Sequence, residues 1–413
     1  MRKAEDLSLR ENFATKISLR RTGKNDTLCG MKRTNPFFIK GYHGAAYFCD
    51  RVAETRRMLA AIENGRDVTL MAPRRYGKTG LIHNVFGKLG NGRVPVYLDI
   101  FQIQNLTEFT RAFSSCVVSA LATPLERTGK GLLEFFRRCR PTATPQADGR
   151  VEFSFNVVPN DAEATLKDTF DFLESRKVEP VVAIDEFQQV REFPEKGVEA
   201  KLRSYVQFCT KSHFIFAGSK KHLMEEMFAL PRGPFYQSTQ LMNVDVIDKD
   251  KFSAFAERFF ERDGRRFDRE SFAYLYDRFG GVTWYLQVVL NRIWERDSGL
   301  DSKEAVDDVV EQLVDEGEPT YVDLLLSQTS SSQAVLKAIA AEGAVKEISS
   351  KWLIDKYRLP ASSTIRSLVR ELANRDLIYK SVAGYSICDQ LFSVWLRRTA
   401  GGVGGGVAQG RLS

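Results

Sequence analysis

The run Ala72-Pro73-Arg74-Arg75-Tyr76-Gly77-Lys78-Thr79 has the residue types that hold a polyphosphate. It follows the apolar stretch Val68-Thr69-Leu70-Met71 and leads into a helical pattern, the setting that a phosphate-binding (Walker A) loop requires. Gly77 would let backbone N–H groups approach the phosphates, and the helix N-terminus adds about half a positive charge. Lys78 would reach the β and γ phosphates, and the Thr79 hydroxyl would ligate Mg²⁺. Ala72 through Gly80 are therefore the candidate nucleotide-binding residues. The usual first glycine is Ala72 here, whose methyl fits if that position keeps a negative φ. Arg74 and Arg75 have two readings. They would neutralise phosphate or act as a finger toward a neighbouring subunit, or they would pair with acidic side chains of the later helical region.

A second cluster is Val181-Val182-Ala183-Ile184-Asp185-Glu186, an apolar strand ending in two carboxylates, the Walker B pattern. Asp185 would hold Mg²⁺ through water, and Glu186 would orient or deprotonate the attacking water. Ser219 ends Phe214-Ile215-Phe216-Ala217-Gly218, where related ATPases carry a polar sensor of the γ-phosphate; a helix-capping serine fits the residue type equally. Asp99 ends another strand, where it would support a metal–water shell or shape a turn. The candidate catalytic residues are thus Glu186, Lys78 and Ser219, and the candidate metal ligands are Thr79 and Asp185.

These residues need a sheet to bring them together. Strands are predicted at Val68 to Met71, Val94 to Ile100, Val181 to Ile184, Phe214 to Ala217 and Leu241 to Ile247. Between them, helices are predicted at Lys78 to Leu89, Leu106 to Leu121, Glu163 to Arg176 and Glu199 to Thr210. Continuous apolar strands alternating with helices predict an α/β fold with a parallel sheet covered by helices on both faces. Residues 124–164 interrupt the rhythm and read as a hairpin insertion. From 248 the character is helical: Phe252, Phe255, Phe259 and Phe260 share a face and read as core, and residues 248–315 net −5. Gln333 to Ala341, Ser350 to Lys356 and a helix capped by Ser362 or Ser363 precede two short strands, Ile378 to Val382 and Tyr385 to Cys388. That order is a winged helix. The predicted division is a disordered basic leader (1–34), a phosphate-loop ATPase domain (35–247), a helical lid domain (248–327), a winged-helix domain (328–398) and a flexible Gly-rich tail (399–413).

The chain has 413 residues, enough for two to four domains at ~100–200 residues each. Its 43% hydrophobic and 27% charged content excludes a disordered or collagen-like chain. No apolar run is long enough to span a membrane. The net charge of +7 sits mostly in the first 40 residues, which carry +6, so it says little about a nucleic-acid surface on the body. Met31 is a candidate start, with the preceding residues an upstream extension. Six cysteines and four histidines are scattered without metal-binding spacing, which reads as reduced thiols in a cytoplasmic protein.

From Asn35 to Arg398 the chain resembles the archaeal-type ATPases of the STAND branch of P-loop NTPases, close to AAA+ proteins, in their bacterial, Bacteroides-like members with a C-terminal winged helix. The residues that carry this are Asn35-Pro36-Phe37, Phe48-Cys49-Asp50-Arg51, Pro73 to Thr79, Asp185-Glu186-Phe187-Gln188, Gly218-Ser219, Pro234-Phe235-Tyr236 and Gly280-Gly281. The resemblance implies an ATP site closed by the lid and the winged helix. It places Phe48 to Arg51 near the adenine, and it matches a base-contacting Gly-x-Pro motif to Gly281-Val282-Thr283, with threonine in place of proline.

The first functional reading is a Mg²⁺-dependent ATPase that couples nucleotide state to a domain rearrangement. The alternative is a nucleotide-gated regulator that binds DNA or a protein through its winged helix, with slow or no hydrolysis. Residues 329–398 net +5, and Thr364, Arg366, Ser367 and Arg370 would present polar groups to such a partner, with Leu368, Val369 and Leu372 facing the core. Oligomerisation stays open, and no membrane partner is expected.

Overall fold

The computed structural model describes residues 34–123, 132, 136, 141–145, 151–381 and 383–401. The expected leader, apart from its last residue, and the tail beyond Gly401 lie outside them, as does most of 124–150. The chain divides into two units, the first ending at Asn35 and the second, which carries the sheet and the helices, beginning at Pro36.

Five parallel strands form the central sheet: β1 (Val68–Met71), β2 (Arg93–Asp99), β5 (Glu179–Asp185), β6 (His213–Gly218) and β7 (Gln240–Asn243), in the order β2-β5-β6-β1-β7. Every residue of β1 and β6 is buried, as an apolar strand covered on both faces requires. The covering helices are α1 (Val52–Glu63), α2 (Lys78–Phe86), α3 (Leu106–Leu121), α4 (Ala162–Glu174), α5 (Val198–Val206) and α6 (Lys221–Phe228). The expected fifth strand shortens to four residues. The hairpin is present as antiparallel β3 (Pro141–Pro145) and β4 (Val151–Phe155), which buries Phe153 and Phe155.

The register sets up the site. Asp99 lies opposite Asp185 at the carboxyl ends of β2 and β5, and Met71 lies opposite Gly218 where β1 and β6 end. Ligands of open α/β sheets bind outside those ends, and the loop after β1 opens there.

The second half is helical: α7 (Lys249–Arg262), α8 (Arg269–Arg278), α9 (Thr283–Trp294), α10 (Lys303–Leu326), α11 (Ser330–Glu342), α12 (Lys351–Tyr357), α13 (Ser362–Asn374) and α14 (Gln390–Gly401). Residues 266–267 (β8) and 299–300 (β9) pair briefly, and β10 (Ile378–Ser381) with β11 (Gly384–Ile387) forms the wing. Asp248, Asp268, Ser302 and Thr329 cap α7, α8, α10 and α11 with side-chain oxygens. The predicted serine cap of α13 is corrected. Ala361 occupies the cap position, and Ser362 is already helical. Ile365, Val369 and Leu372 are buried and Leu368 is half-buried, while Thr364, Arg366, Ser367 and Arg370 are exposed. The expected core face of α13 thus gains Ile365.

The segment predicted as a lid and the winged helix share one hydrophobic cluster, which runs from Ile247 to Leu396 and includes Phe37 and Cys49. Two elements of it had no counterpart in the sequence reading. These are α10, which links the two parts, and α14, which packs on α10 and α11. Arg398 of α14 pairs with Glu311, Asp315 and Glu318 of α10, which accounts for part of the acidic charge there. Among the described residues no helix is long and apolar enough to cross a membrane.

Asp67 stitches β1 into the sheet. Its carboxylate accepts from the Phe214 N–H at 2.8 Å and its carbonyl from the Gln240 N–H at 2.8 Å. Burial pushes its pKa up to about 6, against the opposing pull of that Phe214 bond and of Arg203. A carboxyl with a raised folded pKa loses stabilising free energy as pH rises from its unfolded value toward the folded one. Asp67→Asn keeps the acceptor without the charge. It should match wild type in urea unfolding near pH 4, gain on it up to about pH 6, and stay more stable above. A constant difference across that range would refute the assignment.

Candidate functional site

The phosphate loop turns with two left-handed residues, Arg75 (φ 72°) and Gly77 (φ 87°). Ala72 is not among the positive-φ residues, so its methyl is tolerated; it is buried, and its N–H donates to the Gly218 carbonyl at 3.4 Å. Helix α2 begins at Lys78, which is only 6% exposed. The Lys78 Nζ donates to the Ala72 carbonyl at 3.1 Å and lies 3.9 Å from Glu186 Oε1. Burial lowers its pKa, countered by Glu186 and Asp185.

Asp185 is buried and fully engaged. Its Oδ2 accepts from Thr79 Oγ1 at 2.6 Å and from the Tyr97 hydroxyl at 3.0 Å, and its Oδ1 accepts from the Glu186 N–H at 2.9 Å. Glu186 follows in a left-handed conformation (φ 56°), which turns its side chain toward β6. There its Oε2 accepts from Ser219 Oγ at 2.5 Å and from Gln188 Nε2 at 2.6 Å. Burial opposes ionisation of Glu186. Lys78 and the two hydrogen bonds outweigh it and hold the carboxylate below its ordinary range. Thr79 and Asp185 offer hard oxygens at the end of the loop, a donor set that fits Mg²⁺.

The structure thus brings Lys78, Thr79, Asp185, Glu186 and Ser219 to one place. Ser219 is not a cap: Lys220 precedes α6, no side chain caps it, and the Ser219 hydroxyl holds Glu186 instead. Asp99 sits beside Asp185 in register, and its Oδ1 accepts from the Phe101 N–H at 2.9 Å, a turn-shaping bond. Burial raises its pKa against that bond, with Asp185 and Glu186 adding to the rise.

The arginines correct an expectation. Their acidic partners come from the winged helix and not from the acidic lid. Arg75 donates to Asp389 at 3.0 Å and to the Tyr285 hydroxyl, and stacks 4.4 Å from the centroid of Trp284. Trp284 and Tyr285 are lid residues at the start of α9, where aromatic faces and a phenol stand in for the expected carboxylates. Arg74 lies 3.6 Å from Asp376.

A cavity of about 530 Å³ extends from this cluster. The phosphate loop with Glu186 and Asp99 forms one end, Phe48, Cys49 and Arg51 one wall, and Thr283 and Gln287 of α9 the lid wall. Arg51 fixes the Phe48–Arg51 wall. It is 3% exposed and donates to the carbonyls of Tyr76 and Asp245. Thr283 Oγ1 and Gln287 Oε1 are buried without a hydrogen-bond partner.

Sequence reasoning missed Tyr97, Asp376, Asp389 and Tyr285, and gave Gln188 no role. Tyr97 had a signal. It is two residues before Asp99 on the same strand, so the two share a face. Tyr97→Phe keeps the ring against His83, 4.7 Å away, and deletes the donor to Asp185. It should lower unfolding free energy in urea by about 1.5–3 kcal/mol, the worth of a hydrogen bond to a charged group. An unchanged midpoint would mean that Thr79 and the Glu186 N–H hold the carboxylate without it.

Residues 48–289 match the model of a family described as an ATPase domain predominantly from Archaea, and residues 319–398 match that of a probable winged helix domain. No curated protein matches the chain. Among solved structures, the Walker-type ATPase PABY2304 of Pyrococcus abyssi is similar with a TM-score of 0.60 at 17% identity, over 88% of this chain and 99% of that one. The ORC2 protein of Aeropyrum pernix, in ADPNP–ADP complexes, is similar with a TM-score of 0.55 at 17% identity, over 90% of this chain and 98% of that one. At such identities the likeness shows the fold. The family match spans more than half of the chain, so the chain belongs to the ATPase-domain family found predominantly in Archaea, followed here by a C-terminal winged helix domain.

Proposed function

We propose that the chain binds ATP with Mg²⁺, hydrolyses its terminal phosphoanhydride bond, and uses the nucleotide state to set how the winged helix sits on the phosphate loop. The observation that carries this is the cluster in which Lys78, Thr79, Asp185 and Glu186 meet beside a cavity of nucleotide size. Membership of an ATPase family and the fold shared with a protein solved with ADPNP and ADP support the reading.

In this reading Lys78 and the α2 N-terminus take up phosphate charge. Thr79 and Asp185 would hold Mg²⁺, which supplies charge neutralisation across the β and γ phosphates. Glu186 orients the attacking water. Its carboxylate is ionised and pinned by Ser219 and Gln188, which suits positioning more than a high-affinity proton acceptor. Ser219 then acts through Glu186. Arg75 joins the loop to Tyr285 of the lid and Asp389 of the winged helix, so a change at the loop reaches both. We assign the ATPase domain to 35–247, the lid to 248–327 and the winged-helix domain to 328–398.

Lys78→Ala should abolish tight Mg²⁺-ATP binding in calorimetry, and equal affinities would overturn the assignment. Glu186→Gln should keep ATP bound and cut phosphate release by roughly 10²–10⁴-fold.

A second reading keeps one observation in its favour. Arg366 and Arg370 stand exposed on α13, in no ion pair among the described residues, while the winged helix meets the phosphate loop through Asp376 and Asp389. A nucleic-acid partner would use that free face. Arg366→Glu with Arg370→Glu should then abolish duplex binding that wild type shows below micromolar at ~0.15 M salt, and leave ATP turnover intact. Absence of wild-type binding would discard this reading.

A further inference from the structure

The phosphate loop carries two adjacent arginines in different circumstances. Arg75 is committed: it has Asp389, Tyr285 and the Trp284 face, and its own carbonyl accepts from the Trp284 N–H at 3.1 Å. Arg74 is not. Its side chain is 44% exposed, makes no hydrogen bond among the described residues, and faces Asp376 at a loose 3.6 Å. Its guanidinium rests 4.7 Å above the ring of Phe101, just beyond the end of β2. Both Arg74 and Phe101 line the cavity, as do Asp99 and Glu186. The charge of Arg74 bears on Lys78, Glu186 and Asp99, ionisable groups of that lining.

We propose that Arg74 is the second cation for the terminal phosphate of a bound nucleoside triphosphate, and that Asp376 of the winged helix competes with that phosphate for it. This rests on the ATP-binding reading above and gives it a regulatory consequence. A terminal phosphate carries more charge than one carboxylate and offers the guanidinium a bidentate acceptor. A diphosphate ends one group short and leaves Arg74 with Asp376. The winged helix would then be held in the diphosphate state and released at this contact in the triphosphate state. Asp376 is well placed to transmit that. It sits in a left-handed turn (φ 55°) between α13 and β10, where its N–H donates to the Ala373 carbonyl.

The test measures affinities for a non-hydrolysable ATP analogue and for ADP, both with Mg²⁺, by calorimetry. Arg74→Gln should weaken the triphosphate about tenfold, the scale of a lost charge-assisted hydrogen bond, and change ADP by less than about twofold. Asp376→Asn is compatible with the left-handed turn and should tighten the triphosphate several-fold with ADP unchanged. If Arg74→Gln keeps the wild-type preference for triphosphate while Lys78→Ala abolishes binding of both nucleotides, the Arg74 assignment falls and the ATP site stands. If Asp376→Asn leaves the triphosphate affinity unchanged, the competition falls. If Lys78→Ala binds both nucleotides as wild type does, the ATP-binding reading falls and takes this proposal with it.

Discussion

The site is organised around the burial of one cation. Lys78 stands at the positive end of α2, where the backbone N–H groups add to its own charge instead of offsetting it. Such a group must have anions beside it. Asp185 and Glu186 are those anions, and both are buried enough to need donors themselves. Thr79 and Tyr97 serve Asp185; Ser219 and Gln188 serve Glu186. The donors stand on α2, on β2, on the turn after β5 and just past β6. Each compensation therefore fixes another strand end, and the register of the sheet follows from it. Gly218 shows how tight this is: a Cβ there would lie 2.6 Å from Gln188 Oε1.

Much of this was legible in the sequence because it is local. The phosphate loop and the acidic strand end are contiguous runs with a strand on one side, and alternating apolar strands and helices leave few sheet arrangements. What was not legible depends on long-range meeting. Asp376 and Asp389 are about 300 residues from the arginines that they face, and nothing in their local pattern marks them. The expectation of acidic lid partners failed for the same reason. Net charge over a segment does not say which way a side chain points. The lid offers Trp284 and Tyr285 to Arg75, and part of its negative surface is taken by Arg398.

The helical half is one packing unit made of two sequence units. Phe37, from the start of the chain's compact part, lies between Phe259, Phe260 and Trp294, and the same cluster continues into Ile365 and Trp395 of the winged helix. One apolar cluster joins lid to winged helix, whereas their contact with the phosphate loop includes arginine pairs at partly exposed positions. Exposed pairs are worth little each, and a buried apolar core is worth much more. The weaker joint of the molecule is therefore at the nucleotide side.

Helix α10 runs from Lys303 to Leu326 and belongs to both halves of that unit. At 1.5 Å per residue its 24 residues make a rod about 36 Å long. Pro319 lies inside it, and proline lacks the N–H that the carbonyl of Asp315 would accept from. The rod therefore lacks one backbone hydrogen bond about two-thirds of the way along. A tilt of about 10° at one end displaces the other by about 6 Å, roughly one helical turn.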